Sequence, residues 1–111
     1  MSGGEETGLE PPIRAMIEAT NRGDHAGVVA AFGPVAILDD FGRTFTGREE
    51  IARWDAQENT GTNNRLAVTA VSRSGPEIRV AIDVTGNGYN GSGVLTFVTD
   101  DRAIQRLTIT G

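Results

Sequence analysis

Few residues in this chain are equipped for chemistry. It has one histidine (His25), one tryptophan (Trp54), one tyrosine (Tyr89) and no cysteine. Thiol nucleophiles, disulfide scaffolds, zinc ribbons and iron–sulfur clusters are therefore excluded. A metal site would rest on carboxylates, and the D-x-[DN]-x-[DN]-G calcium loop is missing; no metal or cofactor is expected. A Ser-His-Asp triad would depend on His25. No G-x-S-x-G elbow accompanies it, and its place one residue into a short helix makes it a solvated surface group.

The carboxylates that merit most weight are Asp39 and Asp40. They close an apolar, partly β-branched run, Val35 to Asp39, that reads as a strand. Successive strand side chains point to opposite faces, so one aspartate points inward and the other outward. An inward carboxylate near Phe41 and Trp54 is partly desolvated, which raises a carboxyl pKa and suits it to accept a proton. The competing reading is that both aspartates cap the turn at Phe41-Gly42. Glu49-Glu50 belong to a helix first turn, where negative charge offsets the helix dipole.

Gly86-Asn87-Gly88-Tyr89-Asn90-Gly91 matches G-x-G-x-x-G. That fingerprint binds a dinucleotide only where a helix follows, and here Val94 to Val98 follows as a strand. The stretch reads as a long hairpin connection. Tyr89 within it reads as an exposed residue or a contact to a second subunit.

Charge narrows the partners. The 111 residues carry a net charge of −5, with a pI of about 4.7. All ten basic residues are arginines. They are scattered, whereas a nucleic-acid module gathers its cations on one face; neither nucleic acid nor an anionic membrane is an expected partner. No apolar run approaches the roughly 20 residues of a membrane span. No basic-then-apolar leader opens the chain, so the cytoplasm is the expected location.

The elements that must position these groups follow from periodicity and punctuation. The chain is long enough for one domain. Residues 1–8 read as a disordered tail and 9–111 as the domain. Pro11-Pro12 open a helix with Ile13, Met16, Ile17 and Thr20 on one stripe. Asp24 caps a short second helix with Val28, Val29 and Phe32 as its apolar face, broken by Gly33-Pro34. Thr46-Gly47-Arg48-Glu49 has the capping-box pattern and opens a third helix carrying Ile51 and Trp54. Asn59 to Asn64 is a loop. Strands follow at 65–72, 77–85, 93–99 and 103–110 as an antiparallel meander, giving an α+β class. On the second of these, Ile78, Val80, Ile82 and Val84 face one way and Arg79, Ala81, Asp83 and Thr85 the other.

Taken together, Asn21-Arg22-Gly23-Asp24 leading into Val28 to Phe32, then Ile37 to Arg43, then Phe45-Thr46-Gly47-Arg48-Glu49-Glu50-Ile51, resemble the NTF2-like superfamily, in its SnoaL-like and ketosteroid-isomerase-like branch. The match covers residues 9–110. It implies a conical α+β barrel: a strongly curved antiparallel sheet packed against three helices, with a pocket in the cone. It also implies homodimerisation through the outer sheet face. Aligned through the glycines, Asp39 falls at the ketosteroid-isomerase base. Met16 takes the place of the tyrosine of its oxyanion hole, and the second acid falls near Gly93. One of three roles remains, so steroid isomerisation is not expected. Epoxide hydrolases of the superfamily use an Asp-Arg-Asp set, which Arg79 and Asp83 imitate only in part. The resemblance implies a small-molecule pocket protein for an apolar or aromatic ligand. Asp39 would be its acid/base group, and Met16, Ile37, Phe41, Trp54 and Phe97 would line the pocket. Three classes stay open: an isomerase-, cyclase- or hydratase-type enzyme, a non-catalytic binding protein, and a dimerisation or interaction domain with a filled cavity.

Overall fold

The computed structural model describes residues 9–111; the expected N-terminal tail lies outside them. Helix α1 spans Pro11–Asn21, with prolines in its first turn and Ile13, Met16, Ile17 and Thr20 buried. Helix α2, His25–Ala30, is capped by Asp24, whose carboxylate accepts from the Gly27 N–H at 2.9 Å. Phe32 belongs to no helix: it opens strand β1, Phe32–Asp40. Gly33-Pro34 therefore lies inside a strand and does not merely break a helix. The pairing register of β1 shifts between Phe32 and Ile37, where Pro34 has no N–H to offer the ladder.

Strand β2, Arg43–Thr46, returns as a hairpin and leads into α3, Gly47–Glu58. The capping box is altered. The Thr46 hydroxyl makes no cap bond, and the reach-back comes from Glu50, whose Oε1 accepts from the Thr46 N–H at 2.7 Å. Gly47 takes φ +83°, a conformation foreign to an α-helix, so regular turns begin one residue later and the reciprocal acid moves from Glu49 to Glu50.

A 3-10 turn at Thr60–Thr62 follows, then β3 (Arg65–Ser74), β4 (Glu77–Thr85), β5 (Gly91–Thr99) and β6 (Ile104–Thr110). These four form the expected antiparallel meander. The β1–β2 hairpin joins the far side of β6, and β1 runs parallel to it, giving the order β2-β1-β6-β5-β4-β3. The sheet is thus mostly antiparallel, curved and unclosed. Register shifts in β3 and at the end of β5 add local bend and twist. No helix among the described residues is long and apolar enough to cross a membrane.

The core lies between the helices and one sheet face. Ile78, Val80, Ile82 and Val84 of β4 are buried, and Arg79, Asp83 and Thr85 are exposed, which follows from strand alternation. Asn21 does more than end α1. Its amide accepts from the Leu66 N–H at 2.7 Å and donates to the Leu66 carbonyl at 3.0 Å. It thereby substitutes for a neighbouring strand at the start of edge strand β3.

Candidate functional site

Helices α1 and α3 cover the inner sheet face incompletely, leaving a cavity of about 540 Å³. Its apolar wall comes from alternate inward positions: Met16 of α1, Trp54 of α3, Leu66 of β3, Ile82 and Val84 of β4, Leu95 of β5 and Ile109 of β6. Gly93 contributes no side chain, which leaves room beside Ile82. Phe41 and Tyr89, 63% and 57% exposed, line the same cavity from the β1–β2 turn and the β4–β5 connection.

The polar centre is Asp40. Its Oδ2 accepts from the Trp54 indole N–H at 3.0 Å and from Arg43 Nη2 at 2.7 Å. Arg43 also holds Glu58, with Nη1 to Oε2 at 2.7 Å and Nη2 to Oε1 at 2.6 Å. Such forked, charge-assisted bonds fix geometry as well as energy. The hydrogen bond from Arg43 lowers the Glu58 pKa below its ordinary value. The same bond raises that of Arg43, so the guanidinium stays charged.

A second polar cluster closes the end of α3. Asp55 is fully buried. Its Oδ2 receives His25 Nδ1 at 2.7 Å and the Thr60 hydroxyl, and its Oδ1 receives the Asn59 amide at 2.8 Å. Asn59 also donates to the Thr20 hydroxyl and accepts from Asn64. Asn59, Thr62 and Asn64 then face the cavity. His25 is accordingly not a free surface group: its side chain is 47% exposed and anchored to a buried carboxylate. Nothing in the sequence pairs residues thirty positions apart on two helices.

The residues singled out from sequence separate into two sets. Met16, Phe41 and Trp54 meet at the cavity. Asp39, Ile37 and Phe97 do not. From Ala36 onward the buried positions of β1 are Ala36, Leu38 and Asp40, so strand alternation turns Ile37 and Asp39 to the other face. The Asp39 carboxylate accepts from the Gly42 N–H at 2.9 Å, the turn-capping role weighed above, and the carboxylate facing the cavity is Asp40. Phe97 is fully buried in the core. Arg79 and Asp83 lie exposed on the outer face, away from the cavity. The residues that sequence reasoning missed are Arg43, Glu58 and the Asn59–Asn64 segment. Arg43 and Glu58 are fifteen positions apart, and no local pattern joins them.

Phe41 occupies an unusual backbone position. Phe41 and Gly42 have φ +51° and +89°, the signs a two-residue type I′ hairpin turn requires, where Asn-Gly is the favoured pair. A bulky residue there is strained by about 1–2 kcal/mol. Phe41→Asn is therefore expected to raise folding stability by about 1 kcal/mol, read as a higher denaturant midpoint, while stripping an aromatic wall from the cavity. An unchanged or lower midpoint would show that the Phe41 ring stabilises the fold by more than the strain it imposes.

No family model and no curated protein matches this chain. Solved structures do. A candidate polyketide cyclase from Sinorhizobium meliloti superposes with a TM-score of 0.84 at 22% identity, covering 94% of this chain and 97% of that one. A candidate ketosteroid isomerase from Kribbella flavida gives 0.75 at 20% identity, over 93% of this chain and 76% of that one. A hypothetical protein with a ketosteroid-isomerase-like fold from Catenulispora acidiphila, solved in complex with trimethylamine, gives 0.75 at 18%, over 93% and 87%. Likeness at such identities carries architecture and not activity. A six-stranded sheet, three helices and these superpositions agree: the chain has the NTF2-like fold of the ketosteroid-isomerase-like and polyketide-cyclase-like proteins.

Proposed function

We propose that this domain binds a small molecule with an apolar or aromatic body in the cavity between α1, α3 and the sheet. The observation that carries this reading is the lining itself. A preformed cavity of about 540 Å³ is walled by Met16, Trp54, Leu66, Ile82, Val84 and Leu95 around one buried carboxylate. That is the composition of a ligand site: mostly apolar, with a few fixed polar groups. A domain whose own side chains fill its interior would not keep such a space, so the interaction-domain reading is disfavoured. The trimethylamine complex of the Catenulispora protein supports a small-molecule role for this architecture. Any proton transfer at the site falls to Asp40, which lines the cavity, and not to Asp39, which lies on the other face of β1.

Trp54 provides the test, since it is the sole tryptophan and lines the cavity. Titration with N-phenyl-1-naphthylamine, a neutral aromatic probe, is expected to give a saturable change in Trp54 emission. A flat titration, with emission already blue-shifted and resistant to quenchers, would mean that the cavity is closed in solution and the reading is wrong.

A further inference from the structure

We infer that the ligand is an organic cation, a protonated or quaternary amine carrying an apolar or aromatic body. This rests on reading the cavity as a small-molecule site. The first argument is the charge of the lining. Its formally charged residues are Asp40, Glu58 and Arg43, a net charge of −1. The charge of Arg43 is offset within the cluster, because Nη1 and Nη2 bind the two carboxylates at 2.6–2.7 Å. An anionic ligand would meet a lining of net negative charge whose one cation, Arg43, is already paired with two carboxylates.

The second argument is the state of Asp40 itself. The residue is only 9% exposed, and its hydrogen bonds within the described residues reach Oδ2 alone. No buried side-chain polar atom among those residues lacks a partner, so Oδ1 keeps some contact with solvent, and Asp40 lines the cavity. A neutral apolar ligand would desolvate that oxygen and return nothing. A cation returns a Coulombic attraction to the carboxylate, and a protonated amine adds a charge-assisted hydrogen bond.

The third argument is aromatic. The Trp54 N–H is used on Asp40, so the indole is fixed as a buried part of the cavity wall. Phe41 and Tyr89 stand exposed on the same cavity. Ring faces attract cations, and quaternary ammonium groups most characteristically. The overall charge of −5 also draws cations toward the protein at low ionic strength.

Three probes of similar shape test the inference by calorimetry: benzyltrimethylammonium, its neutral isostere neopentylbenzene, and phenylacetate as the anion. The cation is expected to bind roughly tenfold or more tightly than the neutral isostere, and phenylacetate not to saturate. Asp40→Asn should bring the cation and the isostere within about threefold of each other. Phe41→Leu, which leaves the Asp40–Arg43–Glu58 bonds in place, should weaken the cation more than the isostere. If the neutral isostere binds as well as the cation, or if Asp40→Asn keeps the preference in a folded protein, the cation assignment is wrong while the small-molecule site stands. If none of the probes binds and N-phenyl-1-naphthylamine is also silent, the site itself fails and takes the inference with it.

Discussion

Replacing Asp55 with alanine is expected to lower folding stability by about 3 kcal/mol or more, the scale of breaking a buried hydrogen-bond network. Asp55 is fully buried on α3, and its carboxylate accepts from His25 of α2, from Asn59 at the end of α3, and from Thr60 in the 3-10 turn. Alanine removes both acceptor oxygens at once. Donors on three segments are then left to find water or stay unpaired, and an unpaired buried donor costs about 1–3 kcal/mol. His25→Ala should cost far less, about 1 kcal/mol, because the imidazole is 47% exposed and Asp55 keeps its other donors. Urea denaturation of the two variants measures both numbers. A loss below about 1 kcal/mol for Asp55→Ala would mean that water enters and replaces the lost acceptor.

The difference between Asp55 and Asp40 shows which parts of this molecule are legible in its sequence. Helix α1 declares itself through Ile13, Met16, Ile17 and Thr20, and β4 through strict alternation, because each buries a single face. The Asp24 cap and the strand after the glycine-rich stretch are legible for the same reason: the signal is local. Strand β1 is not. Val35, Ala36, Ile37 and Leu38 are apolar in succession, so both registers satisfy a hydrophobic pattern. The one-residue ambiguity that follows is the one that exchanges Asp39 for Asp40. Val35 is 75% exposed, which hydropathy alone cannot anticipate. The site suffers more than the fold because its polar members come from a hairpin, a helix end and two loops. Asp40, Arg43, Glu58, Asn64 and Tyr89 are brought together by topology, and topology is written in no single window of the chain.

The loop Asn59 to Asn64 carries the clearest case of a residue whose role only packing reveals, and it leads to the second large effect. Gly61→Ala is expected to destabilise the protein by about 3 kcal/mol or more, at the upper end of what overpacking costs. A Cβ built at Gly61 would lie 1.6 Å from the Ala56 carbonyl oxygen and 2.5 Å from its carbon. Those atoms are helix backbone and cannot swing aside as a side chain does. Either the last turn of α3 or the 3-10 turn must move. Movement of the turn would carry Thr60 away from Asp55 and would disturb Thr62, whose carbonyl accepts from the Asn87 N–H at 2.8 Å. That bond ties the α3 end to the connection bearing Gly88 and Tyr89, so cavity shape and stability should fall together. Gly88→Ala is the control on the same wall: its Cβ would meet Thr62 no closer than 3.6 Å, and the change should stay within about 1 kcal/mol. Paired melts and N-phenyl-1-naphthylamine titrations read both effects. If Gly61→Ala melts like Gly88→Ala and binds the probe unchanged, the close approach at Ala56 relaxes freely, and the α3 end is not the rigid wall that the cavity requires.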